Sequence, residues 1–151
     1  MKGLASLLGL MLVLVGVAAC SSESYAPEGS DSGGVLGLAV ALCKGQAETV
    51  ACCNGTAGDD VIIGTEGDDF IDGNDGADLI CGKGGDDVVH GGAGNDRLSL
   101  DGGADQGRGQ ADDDYIEGGD GNDHIIGGLG FDVCRGENGF DFFTDCETVR
   151  Q

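Results

Sequence analysis

Tryptophan is absent from these 151 residues, proline occurs once, and aromatic side chains make up 5% of the chain. A core built from large rings is therefore excluded, as is a proline-rich or collagen-like segment. Basic residues are scarce too: seven lysines and arginines stand against 28 aspartates and glutamates, a net charge of −21. Without a basic face there is nothing to hold a phosphate backbone, so nucleic acid is not a partner. A chain this acidic repels itself on compaction and stays extended unless a counter-charge is supplied. The partner that this composition asks for is a cation.

Residues 1–20 read MKGLASLLGLMLVLVGVAAC. Lys2 and the amino terminus are positive, Leu4 to Val17 are apolar, and Ala18 and Ala19 are small, the pattern of a secretory signal over residues 1–19. A membrane-spanning helix would need about 20 apolar residues. Val17-Ala18-Ala19-Cys20 resembles a bacterial lipobox. The resemblance implies that Cys20 receives a lipid, heads the mature chain and ties it to a membrane of the bacterial cell envelope, at the outer membrane or cell surface. The alternative is ordinary cleavage near Ala19, which gives a secreted extracellular protein with Cys20 in a disulfide. Seven cysteines are present, and lipidation of Cys20 leaves six: Cys43, Cys52, Cys53, Cys81, Cys134 and Cys146. Six can pair as three disulfides in an oxidising compartment. No spaced CxxC elements occur and Cys52 adjoins Cys53, which argues against zinc. Residues 20–34, Cys20 followed by a Ser-, Gly- and Glu-rich run, read as lipid attachment and polar tether.

Glycine is the abundant residue, with 32 copies, and its spacing is regular. From Gly55 to Thr144 the chain divides into ten nonads without insertion: GTAGDDVII, GTEGDDFID, GNDGADLIC, GKGGDDVVH, GGAGNDRLS, LDGGADQGR, GQADDDYIE, GGDGNDHII, GGLGFDVCR and GENGFDFFT. The first position is glycine in nine of ten, with Leu100 the exception; the fourth is glycine in nine of ten, with Asp112 the exception. The sixth is aspartate throughout: Asp60, Asp69, Asp78, Asp87, Asp96, Asp105, Asp114, Asp123, Asp132 and Asp141. The eighth is apolar everywhere but at Gly107. Two glycines per nonad predict turns with positive φ, and the aspartate places a carboxylate in each turn. The eighth residue supplies an inward plug, and strand alternation sends the seventh and ninth outward.

This frame resembles GGxGxDxUx, the nonapeptide of RTX, or haemolysin-type, calcium-binding repeats, and repeat five, GGAGNDRLS, matches every fixed position. The resemblance implies an all-β parallel β-roll (β-solenoid) of about five two-nonad coils over residues 55–144, with short caps at residues 35–54 and 145–151. It implies calcium between equivalent turns of adjacent coils, so that repeat n shares ions with repeat n+2, giving at most about eight ions for ten repeats. The ten aspartates are the expected side-chain ligands. The expected turn backbone is Gly55, Gly58, Gly64, Gly67, Gly73, Gly76, Gly82, Gly85, Gly91, Gly94, Gly118, Gly121, Gly127, Gly130, Gly136 and Gly139. Residues 55–144 hold 22 acidic and four basic residues, a net of −18. Eight calcium ions would nearly balance that charge, which couples folding to metal.

Repeats six and seven are the expected weak points. Leu100 and Asp112 displace turn glycines and Gly107 removes a plug, so sites touching these turns are the doubtful ones and about four to six are expected to fill well. Residues 35–54 carry no repeat frame and read as an N-terminal cap. Phe140, Phe142, Phe143 and Val149 are expected to plug the last coil. Cys134 with Cys146 would tie the tail down, and Cys81 would reach the Cys52-Cys53 pair.

No catalytic constellation is present. There is no GxSxG, Ser99 is the only serine of the repeats, and His90 and His124 fall at outward strand positions. Fifty-four residues precede the repeats, 19 of them signal, too few for a catalytic domain. The expectation is a calcium-binding surface module, not an enzyme, whose surface partner the sequence does not name. The alternative is an RTX-type secreted protein or a fragment of a calcium-dependent secreted enzyme.

Overall fold

The structure, a computed structural model, describes residues 39–42 and 51–151; the signal, Cys20, the tether and Cys43 lie outside these residues. Every regular element described is a strand: β1 (Ala39–Leu42), β2 (Ala51–Asn54), β3 (Asp60–Ile63), β4 (Asp69–Asp75), β5 (Leu79–Cys81), β6 (Val88–Ala93), β7 (Arg97–Ser99), β8 (Gln106–Ala111), β9 (Tyr115–Asp120), β10 (His124–Leu129), β11 (Val133–Asn138), β12 (Phe142–Thr144) and β13 (Thr148–Arg150). Odd strands build one parallel sheet, in the order β1-β3-β5-β7-β9-β11-β13, and even strands build the other, β12-β10-β8-β6-β4-β2.

The register is the sequence period doubled. Val61 faces Leu79, Val88 faces Gln106 and Val133 faces Tyr115, each 18 residues apart. One coil is therefore two nonads, and the fold is a parallel β-solenoid of about five turns. The turns are obligatory, because parallel neighbours cannot be joined by a tight hairpin and each nonad must cross to the opposite sheet.

The core is a single file of side chains between the sheets. Ile62, Ile71, Ile80, Val89, Leu98, Ile116, Ile125 and Cys134, all at position eight, are fully buried. Each large aliphatic group removed from water stabilises the roll by about 1.5–3 kcal/mol. The seventh and ninth residues alternate outward, as in the burial of β9, β10 and β11.

Repeat six stays in register despite its two departures, because they offset each other. Leu100 is fully buried, and a Cβ on Gly107 would lie 2.9 Å from Leu100 Cδ1 and 3.3 Å from Ile116 Cγ2. The side chain missing at position eight is thus supplied from position one of the same repeat. The Leu100 N–H still donates to Glu117 O at 2.9 Å, as Gly82 N–H does to Ser99 O at 2.8 Å.

The ends differ from expectation in three respects. First, the sheets begin before Gly55: β2 pairs with β4 at the same 18-residue offset, placing Cys53 opposite Ile71 and into the core. Residues 51–54 therefore continue the frame, hidden in sequence because Ala51 stands where the aspartate would be. Second, residues 145–151 are less a cap than another strand, since β13 pairs with β11. Third, the aromatic plug is smaller than expected. Phe143 packs on the core with Cys146, but Phe140 is 90% exposed and Phe142 and Val149 also face solvent. Of the expected plug residues, only Phe143 holds position eight and packs on the core.

Cys134 and Cys146 form a disulfide with Cα atoms 6.1 Å apart, tying the tail to the ninth repeat. Cys53 and Cys81 are each disulfide-bonded as well, while the side chain of Cys52 lies outside the described residues.

Candidate metal centre

The turns owe their shape to positions two and four. Positive φ occurs at Asn74, Lys83, Gly92, Asp101, Gln110, Gly119, Gly128 and Glu137, all at position two, and at Gly76, Gly85, Gly94, Gly103, Asp112, Gly121, Gly130 and Gly139, at position four. The expectation that first-position glycines supply positive φ is corrected: none of them has it. Asp112 takes the left-handed conformation that its short polar side chain tolerates, so the turn of repeat seven keeps its form. Gly103 and Gly109, in the repeats expected to be weak, occupy the same turn positions as their counterparts; the regularity of the other repeats was the signal for them.

First-position glycines are needed for space. A Cβ on Gly91 would point at Asp96 Oδ2 and lie 2.9 Å from Gly109 O; one on Gly118 would point at Asp123 Oδ2 and lie 3.0 Å from Gly136 O. At repeat four the same direction meets Asp87 Oδ2 and, at 2.9 Å, Leu100 O. The cradle in front of position one is therefore walled by the aspartate of its own repeat and the first-position carbonyl of the next coil. What Leu100 adds to this cradle is its main-chain oxygen, which explains why leucine is admitted there.

The aspartates form two ladders. Asp60, Asp69, Asp78, Asp87, Asp96, Asp105, Asp114, Asp123 and Asp132 are buried, with at most 3% of their surface exposed. Oδ1 of each aspartate from Asp78 to Asp141 accepts the backbone N–H of the aspartate 18 residues earlier, at 2.7–3.1 Å. The odd-strand ladder ends on Glu147, whose Oε2 takes the Asp132 N–H at 2.6 Å. No nonad remained to suggest that role for Glu147. A second, outer ladder also escaped the sequence reading. Oδ1 of Asp59, Asp68, Asp86, Asn95, Asp113 and Asn122, at position five, accepts the N–H of the residue 18 later, at 2.8–3.1 Å. Its signal was an Asp or Asn in six of ten position-five residues.

The other carboxylate oxygen decides the chemistry. Oδ2 of Asp78, Asp87, Asp96, Asp105, Asp114, Asp123 and Asp132 is buried and has no hydrogen-bond partner. A buried carboxylate oxygen without a partner is costly, and either a proton or a cation must relieve it. The same seven groups hold their protons above the usual carboxylate range. Burial is the main cause, opposed by the bond from the preceding aspartate's N–H and reinforced by neighbouring carboxylates. Asp87, Asp105 and Asp114 are pushed up to about 7 and Asp96 to about 6. Among the described residues no three His, Cys, Asp or Glu side chains converge. A cation in the cradle therefore draws many of its oxygens from the main chain, a hard-oxygen set that suits calcium and not zinc.

A family model described as the RTX calcium-binding nonapeptide repeat matches four times, over residues 54–89, 80–107, 101–134 and 108–143. This chain belongs to that family. No curated protein and no solved structure matches. The RTX repeat is a calcium-binding one, and the orphaned oxygens of this roll face the first-position cradles. His90 and His124 lie on the outer face of the even sheet, edge-on to Phe70 and tilted against Phe142, with ring centroids 5.4 and 5.2 Å apart.

Proposed function

We propose that this chain is a calcium-folded surface module of the bacterial envelope and not an enzyme. The observation that carries the reading is the set of seven buried Oδ2 atoms without a partner. Calcium removes their desolvation cost by replacing lost water with coordination, and the cradles supply carbonyl oxygens beside each carboxylate. The ions lie between turns of repeats n and n+2 and number at most about eight on ten repeats. Eight ions would nearly neutralise the −18 charge of residues 55–144 and six would cancel most of it, and the roll becomes a rigid rod about 24 Å long at roughly 4.8 Å per coil.

The module is displayed on a membrane through a lipid on Cys20, with residues 21–34 as a flexible spacer. The Cys134–Cys146 disulfide suits an oxidising compartment. Both histidines pack against aromatic rings on the outer face of the even sheet, which suits a structural role.

Circular dichroism tests the calcium reading. In chelator most of the β signal should be lost, millimolar calcium should restore it, and magnesium should substitute poorly because of its stricter geometry. A spectrum indifferent to calcium would overturn the reading. For the anchor, mass spectrometry of the native N-terminus should find a lipidated Cys20, and Cys20→Ser should free the protein from membranes. An unmodified terminus after Ala19 would make this a secreted extracellular calcium-binding protein.

A further inference from the structure

The first two repeats do not share the orphaned Oδ2; in repeat one the buried oxygen without a partner is instead Oδ1 of Asp60, at the end of its ladder, and no such atom occurs on Asp69. The Thr56 N–H and hydroxyl both donate to Asp60 Oδ2, at 2.5 and 3.0 Å. In repeat two the Thr65 N–H reaches Asp69 Oδ2 at 2.6 Å, with its hydroxyl 3.1 Å from the same oxygen. Each hydroxyl also spans its own turn. Thr65 Oγ1 lies 3.1 Å from Gly67 O and accepts the Gly67 N–H at 3.2 Å, and Thr56 Oγ1 accepts the Gly58 N–H at 3.3 Å. These turns differ in backbone as well. Neither the threonines nor Gly58 and Gly67 have positive φ, whereas positions two and four do so in every later repeat.

We propose that Thr56 and Thr65 close the first coil without a metal, making it a calcium-independent base from which the calcium-dependent coils are built. The inference rests on the calcium reading above and says which sites are left out. The physical reason is electrostatic. An N–H and an O–H aimed at Oδ2 place two positive dipole ends where a cation would sit, and they satisfy the oxygen that faces the cradle in the later repeats. A hydroxyl that bridges the turn takes over the organising role of an ion. Sites between repeats one and three and between two and four are lost, so the count falls from about eight to about six. The losses fall on the first coil and not on repeats six and seven.

Two measurements on the full chain test this. By calorimetric titration the wild type should bind about six calcium ions, and the double variant Thr56→Gly, Thr65→Gly about eight. Glycine removes both hydroxyls and allows the left-handed turn seen at Gly92, Gly119 and Gly128. Eight ions on the wild type, or no gain in the variant, would overturn the inference while leaving calcium binding intact. No calcium on either protein would overturn the calcium reading and this inference with it. Hydrogen exchange on the wild type in chelator does not depend on the variant folding. Amides of β3 and β4 should be protected at least about tenfold more than those of β8 and β10. Equal exchange in the two regions would contradict a metal-independent first coil.

Discussion

Repeats one and two and repeats three to nine are built on one plan. They share the strand register, a buried plug (from position eight, or from Leu100 in repeat six) and the buried aspartate whose N–H docks on the next coil. They part at one residue of the turn. Where Thr56 and Thr65 stand, donors converge on the carboxylate; where Asn74, Lys83 or Gly92 stand, the chain turns left-handed and Oδ2 is left bare. On the calcium reading proposed above, an aspartate at position six is therefore not by itself a metal ligand, and the second turn residue decides whether its Oδ2 is met from within the chain or by an ion.

The sharpest way to break this contrast is to remove the charge and keep the shape. Asp87→Asn should cost one calcium ion, which at a hundredfold excess over its dissociation constant removes about 2.7 kcal/mol of stability. Asp105→Asn should cost the same, since its Oδ2 is equally bare. Asp69→Asn, beside Thr65, should leave the ion count unchanged and cost under about 1 kcal/mol. The measurement is denaturant unfolding at fixed calcium, paired with titration. Equal losses at positions 69 and 87 would erase the distinction between the two regions.

A somewhat smaller effect is expected at the place where the sequence looked weakest. Leu100→Ala should destabilise by about 2 kcal/mol, the low end of the range for such truncations, because the space above Gly107 allows neighbours to relax. Adding Gly107→Val should return part of that loss by restoring the plug from its usual column. An additive or worsened double variant would show that Leu100 does not stand in for the missing side chain.

Most of the fold was legible because a β-solenoid writes its coil length into the chain. Glycine, aspartate and an apolar residue recurring every nine residues set the turn, the ladder and the core. The packing of repeat six was not legible because each column was read alone, whereas Leu100 and Gly107 meet only across the interior. The ends were misread for a related reason. Ala51 pairs like a repeat residue without its aspartate, and Glu147 reaches the ladder from 15 residues on, not 18. The threonine turns were hidden because the second position of the nonad carries no fixed residue. Their donors gain meaning only beside Asp60 and Asp69.

Acid sharpens the comparison in the opposite direction from calcium. In chelator, the seven bare aspartates have folded-state values raised above the roughly 3.9 of an unfolded chain. The folded roll then binds more protons than the unfolded chain. The stabilisation is fully present below about 3.9 and is lost as pH rises through the folded values of about 6 to 7. The metal-free roll should therefore melt at a higher temperature at pH 4.5 than at pH 7.5, while calcium affinity falls over the same range. A metal-free protein more stable at pH 7.5 would show that burial of these carboxylates is not its main liability.

The smallest effect is expected at the exposed end. Phe140→Ser should change stability by no more than about 0.5 kcal/mol, whereas Phe143→Ala, which opens the last layer of the core, should lower it measurably. A large loss at Phe140 in thermal unfolding would restore it to the plug.

The most direct test locates the ions. In a crystal grown with calcium, anomalous scattering should place peaks in the first-position cradles, about 2.3–2.6 Å from Oδ2 of Asp87, Asp96, Asp105 and Asp123. The turns closed by Thr56 and Thr65 should be empty. Peaks confined to the surface carboxylates of Asp101, Glu117, Asp120 and Glu137, or none at the buried Oδ2 atoms, would contradict the assignment of those oxygens to calcium.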